Sequence, residues 1–285
     1  MKYIKNNFAG ILTILALIGL IFKAFFAKYG LFNQNLIERS LTSFVIAYLA
    51  FKISYMETKK VGLILVPLVF HSLLMALVVN RGFSSKTPAD LLTIITSLYR
   101  IIVILSVFFI IEFILNRLLG NLATSVIGGL SFLLYLAISF TKRFGILNGF
   151  EDFFLYFSFY VMALRVRSAA RLNPLLLGLS ILFVAGEIYL KNAYIKIDYD
   201  FLFTIFPLAY ISLKTISNES AMGFVDYIAF ALIFIYPTVF ILLKTNTSID
   251  SLGVSIIAIL SSYILGEAVF KIKNKYLSYL ILGIN

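Results

Sequence analysis

The chain has 285 residues, 61% hydrophobic and 13% charged, with 24 Lys and Arg against 13 Asp and Glu for a formal charge of +11. Soluble domains carry roughly a quarter charged residues, so an ordinary soluble domain is excluded in favour of a membrane protein; basic residues spread over short loops then point to topology and anionic headgroups, not nucleic acid. Zero cysteines exclude disulfides, thiolate metal sites and cysteine nucleophiles, and a single histidine excludes a multi-histidine centre, so no metal and no tightly bound cofactor is expected.

A hydrocarbon core of about 30 Å takes about 20 helical residues to cross. Continuous runs such as 101–111 and 228–235 lack the alternation of barrel strands, so the expected fold class is all-α: one integral membrane domain over 1–285, a transmembrane bundle of about ten spans. In chain order these are Phe8 to Ala27, Leu41 to Tyr55, Val61 to Asn80, Leu91 to Leu119, Asn121 to Phe140, Glu151 to Leu164, Pro174 to Leu190, Asp200 to Leu213, Met222 to Leu243 and Ser251 to Phe270. The first follows Lys2 and Lys5 as a signal peptide would, but Lys23 and Lys28 stand where a small-residue cleavage site belongs, which predicts an uncleaved span. The second, sixth and eighth are short and need local bilayer thinning or burial.

Thr87-Pro88-Ala89-Asp90 supplies an N-cap hydroxyl, a proline at the first helical position and a carboxylate at the third, so span four begins there. Asn173-Pro174 opens span seven in the same way, and Asp250-Ser251 caps span ten. Pro67, Pro207 and Pro237 interrupt spans three, eight and nine. Lys and Arg weigh toward the loops carrying Lys59, Lys60, Arg165, Arg167 and Arg171, which predicts both termini in the cytoplasm and a multi-pass protein of the cell membrane. The tail Tyr276 to Asn285 is too short to cross and is placed at the interface. Thr124, Ser125, Gly128 and Gly129, and Ser251, Ser255, Ser262 and Gly266, have the spacing that lets membrane helices pack closely.

Ionisable side chains at membrane depth cost several kcal/mol, so each is a functional candidate that faces protein or water. His71 lies about 15 Å along span three, near the midplane. Its imidazole suits general acid or base work; the structural alternative is a neutral ring donating to a nearby carbonyl. Arg100, Glu187 and Lys23 fall at one level, and Thr93, Thr96, Ser97 and Arg100 share a helix face, which suits either a polar cavity or an ion pair with snorkelling. Glu112, Asp226 and Glu267 lie toward the inner ends, near Arg165, Arg167 and Arg171, where an anionic acyl donor or plain topology retention explains the arginines. Phosphate-binding glycine loops, HExxH, GxSxG and dinucleotide fingerprints are absent from the sequence.

Asn148-Gly149-Phe150 through Leu164, Glu187 near the end of span seven, Pro207, Ile235-Tyr236-Pro237 and Val66-Pro67-Leu68-Val69-Phe70-His71 follow an order that resembles the membrane acyltransferases of family three, which transfer acyl groups to envelope glycans. The resemblance implies an acyl-CoA or other acyl donor as co-substrate, a glycan or lipid-linked saccharide as acceptor, and membrane lipids as surroundings. Asn7 and Ile18 stand where the family carries an arginine and a histidine in its first span, the basic pair before its third span is reduced to Lys60 with Leu63, and Tyr236 stands where it carries a histidine in Ile-His-Pro. His71 is then the catalytic candidate, and Arg39, Lys60, Arg100, Glu187 and Tyr236 are the substrate-binding candidates. A flippase or transporter for a lipid-linked saccharide, lined by Arg100 and Glu187, is the rival function. A third is an assembly or immunity protein acting by contact, whose sign is intramembrane charges paired with one another.

Overall fold

Apolar residues that recur every three to four positions make helices, and every regular element among the described residues is one. The computed structural model describes residues 2–28, 34–54, 60–82, 93, 96–141, 150–168, 209, 213 and 223–284. The helices are α1 Lys2–Ile21, α2 Lys23–Lys28, α3 Gln34–Ser54, α4 Lys60–Gly82, α5 Arg100–Thr141, α6 Glu151–Ser168, α7 Phe224–Asn246, α8 Ser251–Ile272 and α9 Lys275–Leu282.

The helical class agrees with the sequence, but the expected count of about ten spans is corrected. Three helices among the described residues are long and apolar enough to cross a membrane: Arg100–Gly120, Phe224–Asn246 and Ser251–Ile272. The apolar stretches of three other expected spans, Ala9–Ile21, Leu65–Leu77 and Leu122–Ile138, are each shorter than 18 residues. Runs of that length suit core helices as well as crossings. Two more carry charge: α3 holds Glu38, Arg39 and Lys52, and α6 holds Glu151, Asp152, Arg165 and Arg167. The orientation with both termini inside presupposed ten crossings and falls with them. The expected spans Pro174 to Leu190 and Asp200 to Leu213 lie outside the described residues, apart from positions 209 and 213, as do the expected helix starts at Thr87 and Asn173.

The chain divides into two units, Met1–Tyr55 with Ile110–Ser220, and Met56–Phe109 with Ala221–Asn285. In the first, α3 packs on α1, α2 and α6. Every residue from Thr42 to Ile53 is buried, so the mainly apolar second half of α3 is a core element. Gly19 lets α1 close on Leu41, since a Cβ there would stand 2.7 Å from Leu41 Cδ1. Helix α5 breaks at Gly120 (φ 80°, ψ 169°), the boundary the sequence places between Leu119 and Asn121. Residues eight apart on a straight helix are separated by about 12 Å, yet Thr124 Oγ1 donates to Asn116 Oδ1 at 2.6 Å. The chain therefore folds back at Gly120, where the left-handed φ suits glycine.

In the second unit α7 packs against α4, α8 and α9. The buried face of α8 includes Ser255, Ala258, Ser262 and Gly266, and a Cβ on Gly266 would meet Ala231 Cβ at 2.8 Å. The small residues thus serve close helix approach. Asp250 caps α8, accepting from the Gly253 N–H at 3.0 Å, as expected. Lys273 in the left-handed region ends α8, and Asn274 caps α9, whose Leu282 is buried.

Candidate functional site

Two interruptions of regular helix, one inside α7 and one at the end of α9, converge on one imidazole. Pro237 has no N–H to bond the carbonyl four residues back, which disturbs the ladder of α7. Beside that break, Tyr99 Oη donates to Phe234 O at 3.2 Å and lies 2.8 Å from Thr238 Oγ1. At the C-terminus of α9 the last carbonyls lack intrahelical partners, and Ile281 O lies 2.9 Å from His71 Nε2. The other ring nitrogen, Nδ1, is 3.0 Å from Thr238 Oγ1.

A carbonyl only accepts, so the Nε2 contact assigns the proton to Nε2 and leaves Nδ1 as an acceptor. Thr238 then donates to Nδ1, and its oxygen receives the Tyr99 hydroxyl, which it shares with Phe234 O. The result is a directed chain, Tyr99 to Thr238 to His71 to Ile281 O. His71 is 3% and Tyr99 1% exposed, whereas Thr238 is half-buried. Phe234 stacks on the imidazole at 6.2 Å between centroids, and Phe70 meets it edge-on at 5.3 Å. The carbonyl acceptor is the structural alternative read from the sequence. The threonine is an addition that the sequence does not announce.

Of the remaining candidates, Arg100 and Tyr236 belong to the same unit as this imidazole. Arg39 lies in the first unit, where its Nε contacts Asp152 Oδ1 at 2.6 Å and its Nη2 contacts Glu151 Oε2 at 3.1 Å. Both carboxylates sit in the first turn of α6, where the helix dipole favours negative charge. Lys60 opens α4, and its side chain lies outside the described residues. Arg100 opens α5 and is exposed. Glu187 lies outside the described residues. Tyr236 precedes Thr238 by two positions, about 200° around the helix, and its hydroxyl reaches Ser255 Oγ on α8 at 3.4 Å.

Lys23, Glu267, Glu112 and Asp226, also singled out in the sequence, have partners. Lys23 pairs with Glu38 at 2.6 Å, Glu267 with Lys271 at 2.7 Å, and Glu112 accepts from Tyr160 and from Asn116. Asp226 accepts from the Gly223 N–H at 2.8 Å. Among the described residues there is no group of three or more His, Cys, Asp or Glu to hold a metal ion. Comparison with protein families, with curated proteins and with solved structures finds no match for this chain.

Proposed function

We propose that the chain is a multi-pass protein of the cytoplasmic membrane that transfers an acyl group to an envelope glycan or lipid-linked saccharide, with His71 as general base. The observation that carries this reading is the orientation of the imidazole. A general base needs a free lone pair within hydrogen-bond reach of a hydroxyl and a second partner that fixes its tautomer. Nδ1 faces the Thr238 hydroxyl at 3.0 Å, and Ile281 O holds the Nε2 proton at 2.9 Å. With Asn7, Ile18 and Tyr236 at the family's key positions, His71 is the one imidazole able to do that work. The flanking Phe70 and Phe234 rings and the 3% exposure keep water from hydrolysing an acyl intermediate.

A contact-only assembly protein is the second reading, favoured by the internal pairing of Arg39, Lys23 and Glu112. The deciding experiment uses purified protein in lipid nanodiscs with a radiolabelled acetyl thioester and bacterial lipid-linked saccharides. Acyl transfer predicts label in the saccharide and a loss on the order of a hundredfold in His71→Gln. Label transfer by His71→Gln at the parental rate removes His71 from the chemistry. No transfer by the parent, in the same lipids, leaves the contact reading.

A further inference from the structure

Resting on the acyl-transfer reading, we infer that Thr238 is the nucleophile that carries the acyl group between donor and acceptor. The first ground is geometric. A covalent site is recognised by a nucleophile hydrogen-bonded to a base that a third group orients. Here the hydroxyl-to-imidazole distance is 3.0 Å and the imidazole-to-carbonyl distance 2.9 Å. The backbone carbonyl of Ile281 occupies the orienting place that a carboxylate fills in the familiar triads.

The second ground is what the Thr238 hydroxyl declines to do. Hydroxyls inside helices usually donate to the carbonyl three or four residues back. Thr13, Ser106, Ser131, Ser255 and Ser262 all donate to the carbonyl four back in this chain. For Thr238 that carbonyl is Phe234 O, which receives Tyr99 instead. Tyr99 thus relieves Thr238 of its local bond and turns the hydroxyl toward His71. Thr238 is half-buried, and the imidazole behind it is buried.

The chemistry balances without a further reagent. Thr238 Oγ1 attacks the carbonyl carbon of an acyl thioester as its proton passes to His71 Nδ1. The carbon–sulfur bond breaks, the thiol leaves with the proton from Nδ1, and an ester stands on Thr238. A saccharide hydroxyl then gives its proton to Nδ1 and attacks the ester carbonyl. Thr238 Oγ1 leaves and takes the proton back. While the ring is positive, the Nε2–H bond to Ile281 O strengthens. Tyr99 is a positioning residue, donating to the threonine oxygen from 2.8 Å.

The test separates this inference from the reading beneath it. The full chain in nanodiscs is incubated with an acetyl thioester alone, proteolysed and examined by mass spectrometry; saccharide transfer is measured in parallel. An acetyl group on the peptide containing Thr238 is expected in the parent and in Thr238→Ser, and none in Thr238→Val or His71→Gln. Transfer by Thr238→Val is expected to fall on the order of a hundredfold or more, with Thr238→Ser retaining part of it. Parental transfer by Thr238→Val overturns the inference and leaves the acyltransferase reading standing. A parent that neither labels nor transfers overturns both.

Discussion

Two adjacent glycines in α5 make opposite predictions. A Cβ on Gly128 would stand 2.6 Å from both Cβ and Cγ1 of Val161 on α6, whereas a Cβ on Gly129 meets nothing within 4 Å. Valine Cβ is fixed to its backbone, so Gly128→Ala must push the helices apart by roughly 1 Å to restore ordinary contact distance. Overpacking of this kind costs about 1–3 kcal/mol, and replacing a helical glycine by alanine returns about 0.5–1 kcal/mol. The net expectation is a loss of about 0.5–2 kcal/mol for Gly128→Ala and a gain of about 0.5–1 kcal/mol for Gly129→Ala. At about 2–4 °C per kcal/mol for large domains, the two melting temperatures should separate by several degrees, on either side of the parent. Circular dichroism melts in mild detergent read this directly, since every regular element among the described residues is a helix. Shifts of the same sign for both variants would refute the close approach of α5 and α6 at Gly128.

Arg39→Ala leaves Glu151 and Asp152 facing each other without their shared cation. With these side chains 17–32% exposed, the loss is set at about 2 kcal/mol, below the figure for a fully buried pair. A double-mutant cycle with Asp152→Ala should return a coupling of about 1 kcal/mol, and a coupling near zero would show that the pair contributes no stability. Asp250→Ala removes the side-chain acceptor for the Gly253 N–H and should lower stability by about 1 kcal/mol, with Asp250→Asn near the parent. Equal melting temperatures for the alanine and asparagine variants would contradict the cap.

Local signals in this chain translate into structure where the physics is local. Asp250 can be read as a cap because its side chain bonds a backbone group three residues on. Gly120 can be read as a boundary because it stands between two apolar runs and its φ is one that other residues avoid. Ser255, Ser262 and Gly266 sit at seam spacing, and that face of α8 is the buried one. The span count fails because hydropathy measures transfer out of water without naming the destination. The apolar turns of α3 are buried among protein helices, and their composition alone resembles that of a lipid-facing crossing. At the site, the burial of His71 and its bond to a carbonyl are legible from its position among apolar neighbours. Its partners are not, because Thr238 lies 167 and Ile281 lies 210 positions away. One hint was available: a hydroxyl directly after a proline inside an apolar helix sits beside a broken ladder, where side chains find new partners. Glu187 lies outside the described residues, and Tyr236, chosen by resemblance, turns toward Ser255.

Because His71 is the only histidine, nitrogen NMR of protein labelled with ¹⁵N-histidine yields a single imidazole spectrum with no assignment step. A reactive, oriented base requires the neutral ring to carry its proton on Nε2, with a bare Nδ1 whose resonance moves when Thr238→Val removes the donor and whose Nε2 partner holds still. A ring protonated on Nδ1, one averaging between tautomers, or one indifferent to Thr238→Val would contradict the account.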